Sequence, residues 1–502
     1  MSGPSAIIAA LTRHAATKPE APALEGAQHK LDYASLAEAV ATLAEILQAL
    51  RPRVVGLLAD NGPDWAVADL ACLAAGIPLV PLPTFFTPAQ HAHAVSQAGI
   101  DLLLSDRPEA MSPLARRGAP RLLYGSLYMR RLDSAPANLP TGTLKITFTS
   151  GTTGTPKGVC LGREAIESVA ASLQQASAAR PDDRHVALLP LATLLENIGG
   201  LYVPLLAGAT TRLLPGEQVG LNGSAGVDPA RLLAALGAAR ATSTILVPQL
   251  LLALVAAIRA GAAHPSALRY AAVGGAPVSP RLLEAATALG LPVFEGYGLS
   301  ECASVVAVNR PGDNQPGCVG RPLAHVALTV GPGGTIHVGG AGFLGYLGEA
   351  PRHDEWIDTG DVGHLDADGR LHITGRRKNM FITAFGRNVA PEWVERELLL
   401  QAPIAQAAVF GEGRSSNVAV IVPRGAASQA DIDAAIAAAN RDLPDYARVG
   451  TWLHATTPFS PDNDQLTANG RPRRDAIAAA YADALTEPRT LDTPKEPHGL
   501  LC

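Results

Sequence analysis

The string TFTSGTTGTPKGV, Thr147 to Val159, ends a β-like run with hydroxyls, glycines and a single lysine. Such a loop suits phosphate. Glycines let backbone N–H groups converge on oxygens, hydroxyls add donors, and Lys157 brings a mobile positive charge to β- and γ-phosphates. The Walker loop needs GxxxxGK[ST], whereas here Gly151 is followed after four residues by Pro156, Lys157 and Gly158, so it does not fit. A plain Gly/Thr surface turn is the default for half of this string and not for all of it.

Four further strings follow in order: VGGAP from Val273, GYGLSE from Gly296, DTGD from Asp358 and GRRKNM from Gly375. Taken singly, GYGLSE is a turn into a helix, DTGD a turn and GRRK a solvated basic loop. Together with the phosphate loop, and over nearly the whole chain, they resemble the superfamily of adenylate-forming enzymes that includes acyl-CoA synthetases, luciferases and the adenylation domains of peptide synthetases. The resemblance is nearest to the long-chain fatty acid-CoA ligases.

That resemblance implies roles for particular residues. Thr149, Ser150, Gly151, Thr152, Thr153 and Gly154 would cradle the phosphates of ATP. Gly275, Ala276 and Pro277 would wall the adenine, and Tyr297, with Gly298 beside it, would pack on the base. Glu301 would carry the magnesium ion, a hard cation that takes oxygen ligands, with Ser300 where threonine is more usual. Asp361 would accept both ribose hydroxyls, Arg376 would contact ribose and phosphate, and Lys378 would be the hinge of a rotating small domain. The implied reaction is attack of a carboxylate on the α-phosphate, loss of pyrophosphate, and transfer of the acyl group from the adenylate to a thiol, that of coenzyme A. An acyl carrier protein or an amine is the alternative acceptor.

Three departures from the family pattern bear on this. In LTANGRPRR, Arg471 stands where a lysine usually bridges carboxylate and α-phosphate, and a forked guanidinium does not replace a point charge conservatively. Arg471 performs that task in a shifted geometry, or Arg473 helps, or the chain is a weakly active nucleotide-binding homologue. In PLATLLEN, Pro190 to Asn197, Thr193 replaces a histidine near the substrate carboxylate while Glu196 is kept; the alternative is a packed helix start. Arg387 takes a position often held by glutamate. The acyl pocket would draw its walls from Thr193 to Gly200, Val273 to Gly275 and Ala303 to Val306, and the low aromatic content, 4%, favours an aliphatic acid.

Two other chemistries fail early. GLSEC around Ser300 lacks the second glycine of a serine-hydrolase elbow. The GxGxxG of Gly340, Gly342 and Gly345 is followed by YLGEAPRHDEW, whose Pro351 does not open a helix, so no dinucleotide fold is expected; the stretch resembles instead the family's glycine-tyrosine segment ahead of DTGD.

These residues need a scaffold, and the chain supplies one. Its 502 residues exceed one ordinary core, and 47% are apolar. Helix-like SLAEAVATLAEILQAL and DWAVADLACLAAG alternate with strand-like VVGLLAD and PLVPL, the rhythm of α/β units. Between Pro316 and Gly375, glycines and short runs predict a β-rich subdomain. After Arg376 the pattern reads helix, strand, strand, helix, with NVAPEWVERELLLQ and DIDAAIAAANRDL as the helices. The expected fold is α/β: a large N-terminal multi-layer domain, 1–376, with a β-rich subdomain, a small mobile α+β domain, 377–485, and a flexible tail, 486–502. The junction falls at Arg377 to Asn379.

A net charge of −5 with scattered Lys and Arg gives no field for nucleic acid. Five cysteines without CxxC spacing indicate neither a disulfide framework nor a zinc site, and fit a reducing cytoplasm. The N-terminus does not read as a secretory signal. The longest apolar stretch, near Leu250 to Ile258, is far shorter than the roughly 20 residues of a membrane span.

Overall fold

The computed structural model describes residues 5–114, 119–149, 156–222, 226–340, 342–467 and 470–486. The chain divides into two compact units: the chain up to Thr359 with Gly363–Ile373, and Gly360–Val362 with the chain from Thr374. Asp361 therefore belongs to the smaller unit although it lies ahead of the last segment of the larger one. The architecture is α/β, as expected, with a large N-terminal and a smaller C-terminal part.

The helix Pro63–Ala75 explains how the larger unit is built. It is buried on all sides, which marks a helix enclosed within a core rather than laid on a surface. Pro63 starts it, and Gly76, at φ 69°, ends it in the left-handed conformation that costs glycine little. It shares one core with the helix Tyr33–Leu50 and with strands of two sheets, through Leu57, Leu79 and Leu104 from one and Leu24, Ala187 and Leu213 from the other.

Among the described residues, one sheet has eight strands. From one edge they run Gly345–Tyr346, Lys157–Gly162, Thr143–Thr149, Leu79–Pro81, Val55–Leu58, Leu102–Ser105, Leu127–Arg131 and Arg121–Tyr124. The second has nine, including the parallel neighbours Arg184–Ala187, Ser243–Leu246, Tyr270–Val273 and Val293–Tyr297. Among the described residues the glycine-rich region forms strands, the longest Ile357–Leu365, and no α-helix, as its composition predicts.

In the smaller unit the helix-strand-strand-helix reading is incomplete. The helix begins at Pro391, not Asn388: Asn388–Val389 pairs with Phe381–Ile382 as a hairpin, and Pro391 sits at the first helical position where its missing N–H costs nothing. Strands Ile404–Phe410 and Asn417–Pro423 are antiparallel, and a third, Val449–His454, runs parallel to the second. The segment Arg474–Ala480 adds another helix. Of the expected tail, 486–502, Thr486 ends the helix Ala482–Thr486 and the residues from 487 on lie outside the described residues.

One half-buried histidine gives the larger unit an acid sensitivity. His325 Nδ1 is 2.9 Å from Ser172 Oγ, while Nε2 is buried without a hydrogen-bond partner among the described residues. Burial pushes its pKa down to about 4. The unfolded chain takes up a proton near pH 6.5 that the folded chain refuses until about pH 4. Stability is therefore complete above that window and falls as pH drops through it. His325→Gln is expected to flatten this fall, as read from thermal unfolding midpoints at a series of pH values.

Candidate active site

The phosphate-loop lysine is placed by strand pairing. Thr143–Thr149 and Lys157–Gly162 are antiparallel with Thr149 opposite Lys157, so both residues flank the loop. Ser150, Gly151, Thr152, Thr153 and Gly154 lie outside the described residues. A Cβ at Gly158 would sit 3.0 Å from Leu347 Cβ and 3.2 Å from Ile146, so the residue after the lysine has to be small. Lys157 Nζ lies 2.9 Å from Glu349 Oε1 and 4.8 Å from the centroid of the Tyr346 ring. The ion pair is 50% and 52% exposed, and such pairs are worth roughly 0–1 kcal/mol. With Lys157 expected on the phosphates, Glu349 would compete for the ammonium, and Glu349→Gln is expected to lower the ATP concentration for half-maximal pyrophosphate release, by up to about fivefold. Steady-state titration with ATP checks this.

Glu301 lies in a single 3-10 turn, Ser300–Cys302, so the helix that GYGLSE alone would suggest does not form. Ala303 and Ser304 follow with φ of 52° and 101°, and a Cβ on Gly298 would run into the Ser304 carbonyl oxygen. Glycine is thus required for the turn to fold back. The Glu301 backbone carbonyl accepts from Phe343 N at 2.8 Å, and its carboxylate Oε1 accepts from the Tyr346 hydroxyl at 2.8 Å. Among the described residues no hydrogen bond reaches Oε2. A half-exposed carboxylate with one oxygen oriented and one open fits a hard divalent cation whose remaining ligands come from phosphate and water. The neighbouring Cys302 is buried, and burial pushes its thiol up to about 12, which removes it as a nucleophile.

The expected adenine wall and the aromatic residue come together at strand ends. Tyr270–Val273 and Val293–Tyr297 pair in parallel with Val273 opposite Glu295, so Gly275, Ala276 and Pro277 leave the sheet beside Gly296 and Tyr297. A Cβ on Gly274 would be 3.0 Å from the Gly296 carbonyl, and Gly275 has φ 83°. Carboxyl ends of parallel strands are where α/β sheets bind ligands. Gly275 and Pro277 are exposed and Tyr297 is half-buried, which leaves them open to a planar ligand.

Thr193 is a different case. Its hydroxyl donates to the Pro190 carbonyl at 2.7 Å, a bond that closes the turn before the short helix Leu194–Glu196. Glu196 is fully buried and accepts from Leu189 N at 3.1 Å, with His185 Nε2 2.9 Å away. Burial raises the pKa of Glu196, while His185 and the Leu189 amide pull it back. The helix then widens to a π-turn, Asn197–Tyr202, which periodicity did not predict and which is common at functional sites. Lys145 holds this turn from beneath. Its Nζ donates to Asp69 Oδ1 at 2.6 Å, to Tyr202 Oη at 2.7 Å and to Asn197 Oδ1.

In the smaller unit, Arg376 Nε donates to Asp361 Oδ1 at 2.7 Å, so two residues expected to meet the ribose are paired with each other. Burial, then the Arg376 charge, draws the Lys378 pKa down. Arg471 is exposed in a turn: its N–H donates to Thr467 Oγ1 at 3.1 Å and its carbonyl accepts from Thr467 N at 2.8 Å, with Gly470 at φ 74°. Arg473 is held by Asp464 in an ion pair. Arg387 is exposed in the hairpin loop.

Tyr346 and Glu349 were not among the expected site residues. Their signal was the stretch that resembles the family's glycine-tyrosine segment ahead of DTGD, to which no residue role was assigned. In the structure Gly345–Tyr346 is a short strand against Lys157–Gly162, with no helix after it.

Residues 11–344 match the model of the AMP-binding enzyme family, and residues 378–488 match that of the AMP-binding enzyme C-terminal domain. The chain belongs to the AMP-binding enzymes. It is an adenylate-forming enzyme, and the superfamily that the motifs implied is the right one. This AMP-binding enzyme is 30% identical to indoleacetate–CoA ligase of Aromatoleum aromaticum over 82% of this chain and 87% of the relative. It is 30% identical to feruloyl-CoA synthase of an Amycolatopsis species over the same shares, 82% and 87%. Long-chain-fatty-acid–CoA ligase 1 of Cavia porcellus is 26% identical over 76% and 67% of the two chains. The crystal structure of the anthranilate CoA ligase AuaEII with anthranoyl-AMP shares the fold, with TM-score 0.80, 21% identity and 97% and 99% coverage. So does o-succinylbenzoate coenzyme A synthetase of Bacillus subtilis with ATP and magnesium, with TM-score 0.73, 23% identity and 93% and 98% coverage.

Proposed function

We propose that this enzyme joins a carboxylic acid to coenzyme A through an acyl-adenylate. The observation that carries the proposal is the cluster at the start of the strand Lys157–Gly162, in which Lys157 and Glu301 are held on the ring face and the hydroxyl of a single side chain, Tyr346. In the first step a carboxylate oxygen bonds to the α-phosphorus and the bond to the bridging oxygen breaks, releasing pyrophosphate. Lys157 meets the negative charge of the phosphates, and Glu301 would hold a magnesium ion. Bound there, the ion supplies charge neutralisation across the phosphate oxygens. Gly275, Ala276, Pro277 and Tyr297 hold the base, and Asp361 with Arg376 the ribose. Arg471 bridges the carboxylate and the α-phosphate. In the second step a thiolate sulfur attacks the acyl carbon and AMP leaves. Positioning and electrostatics suffice for both steps.

The acid we assign has an apolar body. The Pro190–Asn197 stretch and low aromatic content favour a fatty acid, whereas two relatives are named for indoleacetate and ferulate. Coenzyme A is preferred over a carrier protein or amine because the sequence relatives are named as CoA ligases. We place the enzyme in the cytoplasm on its sparse cysteines; among the described residues no helix is long and apolar enough to cross a membrane. Arg471 favours one second reading, a nucleotide-binding homologue with slow turnover.

The test is release of AMP and pyrophosphate from ATP and magnesium with fatty and aryl acids, each with and without coenzyme A. AMP that requires one acid class and coenzyme A supports the ligase and names its substrate. Pyrophosphate release indifferent to coenzyme A points to another acceptor. ATP binding with no release from any acid favours the second reading.

A further inference from the structure

The contacts of Tyr346 go beyond packing. Its hydroxyl donates to Glu301 Oε1 at 2.8 Å, and its ring lies 4.8 Å beneath the Lys157 ammonium. Its place is fixed from two sides. Tyr346 pairs with Val159 and Gly345 with Cys160, on the strand that begins with Lys157. Three residues earlier, Phe343 N donates to the Glu301 carbonyl at 2.8 Å, and the Phe343 ring meets the Tyr346 ring edge-on at 4.8 Å. The segment is thus tied to the lysine strand through its backbone and to the glutamate turn through backbone and side chain together.

We propose that Tyr346 is a positioning residue that orients the Glu301 carboxylate for the magnesium of MgATP and sets Lys157 at a fixed distance from it. The physical case rests on freedom. Glu301 sits in a one-turn 3-10 element followed by two left-handed residues, and no other hydrogen bond reaches its carboxylate among the described residues. Without the tyrosine hydroxyl the side chain would sample several rotamers, and ordering it would be charged against metal binding. With Oε1 held, Oε2 is presented in one direction. Hydrogen bonds to ligating carboxylates act in this way, and their loss typically costs about 10–100-fold in metal affinity or activity. The ring face contributes separately: a cation over an aromatic face is attracted to it, which keeps the Lys157 ammonium near Glu301 when it leaves Glu349 for phosphate.

This inference rests on Glu301 as the magnesium ligand, so the experiment tests both. ATP binding to the full-length protein is measured by calorimetry with magnesium and with EDTA, for wild type, Tyr346→Phe, Glu301→Gln and the double variant. The expected result is that Tyr346→Phe, which removes one oxygen and keeps the ring, loses about tenfold of the magnesium-dependent gain in affinity while ATP binding in EDTA is unchanged. In the Glu301→Gln background Tyr346→Phe is expected to change nothing further, because the hydroxyl acts through that carboxylate. Tyr346→Leu is expected to weaken binding in EDTA as well, through Lys157. If Glu301→Gln abolishes the magnesium gain and Tyr346→Phe leaves it intact, the positioning role is wrong and the metal reading stands. If Glu301→Gln itself leaves the gain intact, both fall.

Discussion

Lys145→Met is expected to cost the larger unit about 3–5 kcal/mol of folding stability, the largest effect of any single substitution considered for this chain. Lys145 and Asp69 are 4% and 0% exposed, and the ammonium finds an acceptor for each of its three protons in Asp69, Asn197 and Tyr202. Burial alone draws the lysine pKa down, and Asp69 works against that. Removing the cation leaves a carboxylate inside the core, in the middle of a helix buried on every side, with only the Tyr202 hydroxyl and the Asn197 amide to answer it. An uncompensated buried charge is far more costly than an absent pair, so Lys145→Met with Asp69→Leu is expected to recover a large part of the loss. Denaturant unfolding of the three proteins checks this, with Trp65, buried in the same helix, as one fluorescent reporter. A loss below about 1 kcal/mol for the single variant would show that Asp69 finds water or a proton instead.

The second large effect belongs to Arg471. Arg471→Ala is expected to slow acyl-adenylate formation about 10²–10³-fold, the range seen when one preorganised donor to developing charge is removed. Thioester formation from a preformed acyl-adenylate is expected to be unchanged, because the carboxylate and the α-phosphate no longer need a common partner. Arg471→Lys is expected to retain adenylation, since it supplies the compact charge usual in the family. Single-turnover pyrophosphate release measures the first step, and thioester formation in the absence of ATP the second. Adenylation at wild-type rate in Arg471→Ala would falsify the role given to this side chain.

The sites of these two predictions differ in how visible they are in the amino-acid string. Arg471 stands in LTANGRPRR, where a local motif marks a position and its departure from the common residue. Lys145 carries no such mark. It lies two residues ahead of a phosphate-loop string and reads as one polar residue in a strand. Asp69 is 76 positions away in a mostly apolar helix whose first turn carries a second aspartate, Asp64. Only the packing of that helix against the strand Thr143–Thr149 turns two liabilities into a pair. The same holds for Tyr346 and Glu301, 45 residues apart. Each lies in a recognisable string, and their bond follows from the short strand Gly345–Tyr346 adding to the edge beside Lys157.

Local strings also failed where neighbours compete. GYGLSE suggests a helix, yet a close approach of Gly298 to Ser304 and two left-handed residues fold it into one 3-10 turn. Asn388 and Val389 fit a helical period, yet Pro391 starts the helix later and the two residues pair as a strand. At Thr193 the structure adds a local contact that the string does not show, a hydroxyl that closes its own turn on Pro190.

By itself, then, the sequence determined the class of the molecule, through the order of its motifs and the alternation of helices and strands. These are properties of short stretches, set by residue type, glycine placement and periodicity within a few turns of chain. The tertiary structure decided which charges are compensated, which carboxylate oxygen is held and which left open, and where a helix widens into a π-turn. Those depend on contacts between residues far apart in the chain, whose energies of burial and hydrogen bonding exist only once the core has closed around them.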